Sequence, residues 1–157
     1  MLYGFRNETN RVMIDLRYPT ALQMVLSLAV AREEDVRCTS NELATGLGAN
    51  PVLVRKLLVP LARDGIVTST AGKNGGVRLG RPAAQITLLD VYRAAVDDKR
   101  LFATRPNVPG RCVVSRNIGP FFDGLADDAE AEVSRLLAGR TVAQSLADIR
   151  MMDDEGG

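Results

Sequence analysis

The 157-residue chain has no histidine and only two cysteines, Cys38 and Cys112. Those scarcities remove a good deal of chemistry. Without imidazole there is no histidine general base, no Ser-His-Asp triad and no His-ligated zinc, and two thiols cannot build a four-cysteine site. Carboxylates alone could hold magnesium, but no close-set acidic group falls in a segment that would line a pocket. No metal or cofactor is therefore expected, and an enzyme is the least favoured class. Also missing is any run of about 18 apolar residues, the length that spans a bilayer. The first residues carry Arg6, Glu8 and Arg11 and no apolar stretch of the kind a secretory signal needs. Both absences point to a cytoplasmic protein with no membrane partner. Nor is there a strong excess of one charge, since the net value is +1.

That net value hides a division along the chain. From Asn50 to Pro82, Arg55, Lys56, Arg63, Lys73, Arg78 and Arg81 stand against Asp64 alone, whereas Pro120 to Gly157 holds nine acids and three arginines. One basic and one acidic face suit a nucleic-acid binder that docks a single side on phosphate, although any solvated surface shows smaller fluctuations of this kind. With 46% hydrophobic residues the chain is long enough for one packed domain and an extra element or two.

The spacing of apolar residues predicts six helices and one hairpin. Leu22, Val25, Leu26, Leu28 and Ala29 make a stripe over Thr20–Arg32, with Met13 as an alternative start. Thr39-Ser40-Asn41-Glu42 reads as a capping box opening a short helix to Leu47. After a Gly48-Ala49 turn, Asn50 as N-cap and Pro51 at the first helical position start another, with Val54, Leu57, Leu58 and Leu61 inward. Pro60 should bend or end its regular part. Two short helices across a glycine-containing turn are the helix-turn-helix pattern. The period then changes to two: Ile66–Ser69 and Val77–Leu79 read as strands around a Gly-rich tip holding Lys73 and Asn74, a β-wing. Thr87–Asp90 opens the next helix, with Ile86 stapled onto Val91, and runs to Val96. A loop with Pro106, Pro109 and Gly110 separates it from a long helix beginning between Asn117 and Pro120 and ending near Ala138. Thr141, with Gln144 as capping partner, opens a closing helix that turns Val142, Leu146 and Ile149 inward.

The expected fold is thus mainly α with a small β-wing: a winged helix-turn-helix domain plus a long C-terminal dimerisation helix. Residues 1–12 are expected to be a flexible extension, 13–96 the DNA-binding domain, 97–116 a sensory loop, 117–150 the dimerisation and closing helices, and 151–157 a disordered tail. On the long helix Phe122, Leu125, Ala129, Val133 and Leu136 form a stripe that needs an apolar cover, either from a second copy or from its own subunit.

The ordered series Thr-Ser-x-Glu-Leu-Ala from Thr39, Asn50-Pro51, Val-Arg-Lys-Leu-Leu from Val54, Asp-Gly-Ile-Val from Asp64, Gly-Gly-Val-Arg-Leu from Gly75, Arg81-Pro82, Ile-Thr-Leu-Leu-Asp-Val from Ile86 and the closing Thr141–Ile149 resembles the Rrf-two family (IscR- and NsrR-like) of transcriptional regulators. The similarity spans about Met13 to Ile149. It implies a sequence-specific DNA-binding homodimer, the long helix crossing to the partner and the two wings straddling a palindromic operator, with repression the family habit. Some members hold an iron–sulfur cluster on three cysteines in the loop after the fourth helix. Here that loop has Cys112 alone and no histidine to replace the others, so the chain resembles a variant without a cluster.

On such a fold the first turns of the Asn50 helix enter the major groove. Asn50, Pro51, Val52 and Leu53 lie at its entrance. Arg55 is the candidate for bidentate guanine contact and Lys56 its neighbour, although both residue types are ordinary on any solvated helix. The amides at Thr39, Ser40 and Asn41 would meet phosphate, and Lys73, Asn74 and Arg78 would set the wing on the backbone or in the minor groove. For the signal, Cys112 lies near Arg105, Arg111 and Arg116, and Cys38 precedes a capped helix; positive charge and helix dipole both favour thiolate. The expectation is redox sensing by Cys112, with oxidation joining it to Cys38 of the other subunit; Cys38 also reads as a small buried hydrophobe. Two rivals keep the fold: a small-molecule effector between the long helix and the 97–116 loop, and a winged-helix module for protein contacts.

Overall fold

In the computed structural model, which describes residues 15–97, 100, 102 and 105–156, the chain forms six α-helices and a two-stranded hairpin in the predicted order. The expected flexible extension at 1–12 lies outside the described residues. Helix α1 (Arg17–Glu33) starts earlier than the apolar stripe suggests, because Asp15 accepts the Arg17 amide at 3.1 Å and its guanidinium at 2.9 Å. It buries Ala21, Met24, Val25, Leu28 and Ala29.

Helices α2 (Ser40–Leu47) and α3 (Pro51–Arg63) are set by their caps. The Thr39 hydroxyl accepts the Glu42 amide at 3.2 Å, and the Glu42 carboxylate takes the Thr39 amide at 2.7 Å. Asn50 accepts the Val52 amide at 2.8 Å. The turn between the helices passes through Gly48 in the left-handed region, where a side chain would be strained. Pro60 does not end α3. The helix runs on to Arg63, and the Pro60 carbonyl accepts the Asp64 amide at 3.0 Å.

The wing consists of β1 (Val67–Thr70) and β2 (Gly76–Leu79), antiparallel with Val67 opposite Leu79 and Thr70 opposite Gly76; β1 lies one residue later than the sequence suggests and β2 starts one residue earlier. The chain before α2 adds a third lane: the Cys38 carbonyl accepts the Val77 amide at 2.7 Å. Gly75 makes the turn possible, since a Cβ there would lie 1.9 Å from the Thr70 carbonyl oxygen.

Helix α4 (Leu88–Val96) is opened by a Thr87–Asp90 capping box and backed by fully buried Ile86 and Val91. Together α1, α3, α4 and the inner side of the wing enclose one core, closed from below by Val142 and Leu146 of α6 (Val142–Gly156). The α6 start is tied in by its Val142 amide on the Ile86 carbonyl, 2.8 Å.

Three expectations about the C-terminal third need correction. Helix α5 runs Val113–Ala138, so the connection is 97–112 rather than 97–116. Cys112 itself is the N-cap, with Ser115 as its reciprocal partner, and Pro120 is an interior residue rather than a start. The tail expected to be disordered is helical through Gly156, and Arg150 of the same helix pairs with Glu33 of α1 at 2.5 Å. On that helix Val142 and Leu146 point inward as expected, but Ile149 is exposed.

Candidate nucleic-acid interface

One side of α3 is sealed and the other is open. Val54, Leu57, Leu58 and Leu61 are buried in the core, and on the opposite side Val52, Arg55, Lys56 and Val59 face outward, with Val52 50% and Val59 70% exposed. Asn50 and Pro51 are exposed at the helix start. Leu53 is the exception among the residues expected at the groove: it is half-buried against the core and lines a shallow cavity of about 250 Å³ between α3 and α4, so it does not belong to the open side. The Lys56 stem lines the rim of the same cavity. Val59 was not among the expected contacts because it carries no charge, yet it stands two positions from both Leu57 and Leu61, which on an α-helix is the side opposite the core stripe.

The N-terminus of α2 is not the simple phosphate cradle expected. The Thr39 amide is already taken by Glu42, which leaves those of Ser40 and Asn41. Glu42 is exposed, and its hydrogen bonds to the Thr39 amide and hydroxyl hold its carboxyl below the usual range, so a negative charge stands at that helix end. Phosphate contact there would have to pass a carboxylate.

Lys73 and Asn74 sit exposed at the wing tip and Arg78 on the outer side of β2. The wing is braced by a residue the sequence reading overlooked: Arg37 donates from its Nη1 to the Lys73 carbonyl at 2.6 Å, and its stem lies over Gly76. No local motif marks Arg37, because its partner is thirty-six positions away. The side of the molecule formed by α3 and the wing is therefore cationic and open, with Arg37, Arg55, Lys56, Lys73 and Arg78 all exposed.

The two thiols differ. Cys112 is exposed, and hydrogen bonds from the Ser115 hydroxyl, the Ser115 amide and the Val114 amide lower its pKa; this stabilisation by a helix cap, rather than the neighbouring arginines, is the cause. Cys38 is half-buried, and burial, with Glu42 adding to it, pushes its thiol up. The expected activation of Cys38 by the helix dipole is thus overturned: desolvation wins.

The dimerisation stripe divides as well. Phe122, Ala129 and Val133 are half-buried within the subunit, Phe122 meeting Phe102 edge-on at 6.1 Å, and Ala126 beside them is buried. Leu125 and Leu136 are exposed, on an edge that also shows Val114 and Phe121. The acidic side of α5 is partly used internally, where Arg100 pairs with Asp127 and lies 3.8 Å from Asp123. No helix among the described residues is long and apolar enough to cross a membrane.

Comparison with known proteins bears on this arrangement. The model of the Rrf2 family, described as "Iron-dependent Transcriptional regulator", matches residues 14–148. YwnA of Bacillus subtilis, an HTH-type transcriptional regulator by name, is 30% identical over 137 residues, 87% of this chain and 96% of its own. The protein aau3 of Rhizobium meliloti is 40% identical over 77 residues, about half of each chain. A crystal structure of a transcriptional regulator from Lactobacillus plantarum superposes with a TM-score of 0.74 at 28% identity, over 91% of this chain and 98% of that one. The iron in the family's description finds no fitting donor set here: two cysteines on separate elements, no histidine, and among the described residues no group of three candidate ligands able to hold a metal. The open α3 face, the braced wing and a family match over most of the sequence converge, and the chain belongs to the Rrf2 family of DNA-binding transcriptional regulators.

Proposed function

We propose that the protein is a cytoplasmic repressor that binds a palindromic operator as a homodimer. Each subunit lays the first turns of α3 in the major groove, with Asn50, Pro51 and Val52 at the entrance. Arg55 and Lys56 reach the base edges, and Val52 meets a thymine methyl. Lys73, Asn74 and Arg78 hold the wing on the flanking backbone or minor groove, steadied by Arg37, and Ser40 supplies a backbone amide. The observation that carries this reading is the sealed leucine side of α3 set against its open, cationic other side.

The second copy docks along α5. Only Ala126 of this 26-residue helix is buried, and an edge with Phe121, Leu125 and Leu136 exposed is costly to leave in water. Oxidation of Cys112 switches the dimer. Its exposed, stabilised thiolate attacks a peroxide oxygen and breaks the O–O bond, leaving a sulfenic acid; the Cys38 thiol of the other subunit then displaces the sulfenic hydroxyl as water and closes the disulfide, the two electrons having gone to the peroxide. The cap of α5 would be lost at the same moment, which moves the helix that joins the two heads.

Selection of bound duplexes from random DNA, run with reduced and with peroxide-treated protein, tests both parts. The expected product is an inverted repeat whose enrichment falls on oxidation and is insensitive to oxidant in Cys112→Ser. Failure to retain any duplex at low salt would overturn the DNA reading; an inverted repeat equally enriched in both states would overturn the switch alone.

A further inference from the structure

Below the wing, the last turns of α1, the Asp35–Val36 connection and β2 surround a cavity of about 330 Å³ that shares only Arg78 with the proposed interface. Its lining is mixed: Leu28, Val36, Leu79 and Pro82 give it an apolar part, and charged side chains and backbone the rest. Arg32 and Arg78 also line it, and neither has an ion pair among the described residues. The third guanidinium there, Arg81, is committed elsewhere: it donates to Asp90 at 3.0 Å and to the carbonyls of Gln85 and Asp64, each at 3.1 Å. Among the described residues the cavity thus carries two cations without an ion pair against the single carboxylate of Asp35.

Two backbone features point the same way. In the β1–β2 ladder the Gly80 amide turns toward β1, onto the Ile66 carbonyl, while the Val77 amide turns to the other edge, onto Cys38. By that alternation the Leu79 amide is directed at the edge where the cavity lies. In addition, Asp35 closes α1 in the left-handed conformation, φ +52°, where glycine is usual. A non-glycine residue holds that position at a cost. What it brings in return is a carboxylate on the cavity wall.

We propose that this cavity binds a small organic carboxylate with a short apolar body. The carboxylate lies between Arg32, Arg78 and the Leu79 amide, the body rests on Leu28, Val36 and Pro82, and an amino group, where present, meets Asp35. The volume is at the small end of ligand pockets, and guanidinium matches carboxylate two-pronged. Because Arg78 is also a phosphate contact of the wing, ligand and DNA compete for one guanidinium, and each weakens the other's binding by the same factor. This coupling rests on the DNA-binding reading; the binding itself does not.

The test uses the full chain without DNA, with isovalerate and leucine as probes, isoamyl alcohol as their uncharged match and inorganic phosphate as a second anion, followed by amide NMR. Shifts confined to Arg32, Val36, Arg78 and Leu79 are expected with a carboxylate, saturating at millimolar concentration and absent with the alcohol. Arg32→Gln should weaken them about tenfold, the loss of one charge-assisted contact. Val36→Trp, which fills the space from an exposed position, should abolish them with the rest of the spectrum unchanged. No shift at these amides with either carboxylate overturns the site, and equal shifts with phosphate overturn its chemical class. Operator binding is then measured with saturating probe: weakening in the wild type and none in Val36→Trp is expected, and unchanged affinity with the probe bound overturns the coupling. A protein that ignores DNA without any probe would count against the DNA-binding reading instead.

Discussion

Helix α3 buries four of its thirteen residues and α5 only one of its twenty-six, although both carry apolar residues at helical spacing. In α3 the stripe is wide, regular and wholly consumed by α1, α2, α4 and the wing, so the far side is spare for a ligand. In α5 the stripe splits into two: Phe122, Ala126, Ala129 and Val133 lean on the subunit, while Val114, Phe121, Leu125 and Leu136 are exposed. A helix satisfied by its own chain offers polar chemistry outward; a helix left unsatisfied offers apolar surface. The same periodic pattern therefore serves folding in α3, and in α5 leaves the apolar edge on which the proposed association rests.

The sharpest way to break that contrast is to remove one leucine from each helix. Leu61 is fully buried, and Leu61→Ala should cost about 2–5 kcal/mol in urea unfolding, the transfer and cavity loss of a core leucine. Leu125→Ala should leave the stability of dilute, dissociated protein within about 0.5 kcal/mol. A Leu125 variant as costly as Leu61→Ala would mean that α5 is packed within the subunit after all. Conversely, Leu125→Glu with Leu136→Glu should yield a species of monomer mass by sedimentation equilibrium with its helical content kept; a dimer that survives both changes would move the interface off α5.

The open side of α3 is the next test. Arg55→Ala should weaken operator binding by about 1–3 kcal/mol and relax the preference at one base pair. Lys73→Ala at the wing tip should weaken all duplexes alike and reduce the slope of affinity against salt by about one counterion. Equal losses on specific and random DNA for both variants would demote Arg55 to a phosphate contact.

A smaller effect concerns the cap that holds α4 beneath the wing. Burial works to raise the Asp90 carboxyl, but the Thr87 amide and hydroxyl and the Arg81 guanidinium outweigh it, and the folded-state value lies below the ordinary 3.8. A depressed carboxyl stabilises the fold above the unfolded value, and the contribution is lost as pH falls through the folded one. The wild type should therefore unfold at a higher urea concentration than Asp90→Asn at neutral pH, the gap closing as the pH drops from about 3.8 downward. A gap constant through that range would mean that Asp90 acts as a neutral cap.

Much of the head was legible in the sequence because its signals are local. Thr39–Glu42, Asn50-Pro51 and Thr87–Asp90 are caps complete within four residues, and the Val54–Leu61 stripe is a single regular face. What escaped was non-local or of an unusual type. Arg37 bracing Lys73 and Cys38 adding a lane to β2 depend on how the chain returns on itself. The start of α5 was misplaced because its cap is a thiol rather than a hydroxyl or carboxylate, and the helical tail because a polar, acidic segment hides the anchoring of α6 at Ile86 and Glu33. Among the site residues, Leu53 was assigned by its position at a helix start, whereas its side chain follows the core.

The thiol cap offers the finest discrimination between the two halves. Cys112 and Ser115 bond reciprocally, the Cys112 amide donating to the Ser115 hydroxyl oxygen at 2.9 Å and the Ser115 amide reaching the sulfur at 3.4 Å. With hydrogen bonds to Ser115 the first cause of its lowered pKa, Cys112 should alkylate faster than Cys38 near neutral pH, where burial keeps Cys38 protonated. Ser115→Ala removes the hydroxyl and leaves the amide, so the midpoint of the Cys112 rate profile should move to higher pH and the rate at neutral pH fall several-fold. The fall should be smaller than the lost thiolate fraction alone implies, because a more basic thiolate is the better nucleophile. Iodoacetamide labelling of Cys38→Ser and of Cys38→Ser with Ser115→Ala, followed by intact mass, reads Cys112 alone. If the two profiles coincide, the arginines around the cap, and not the cap itself, set the reactivity of this thiol.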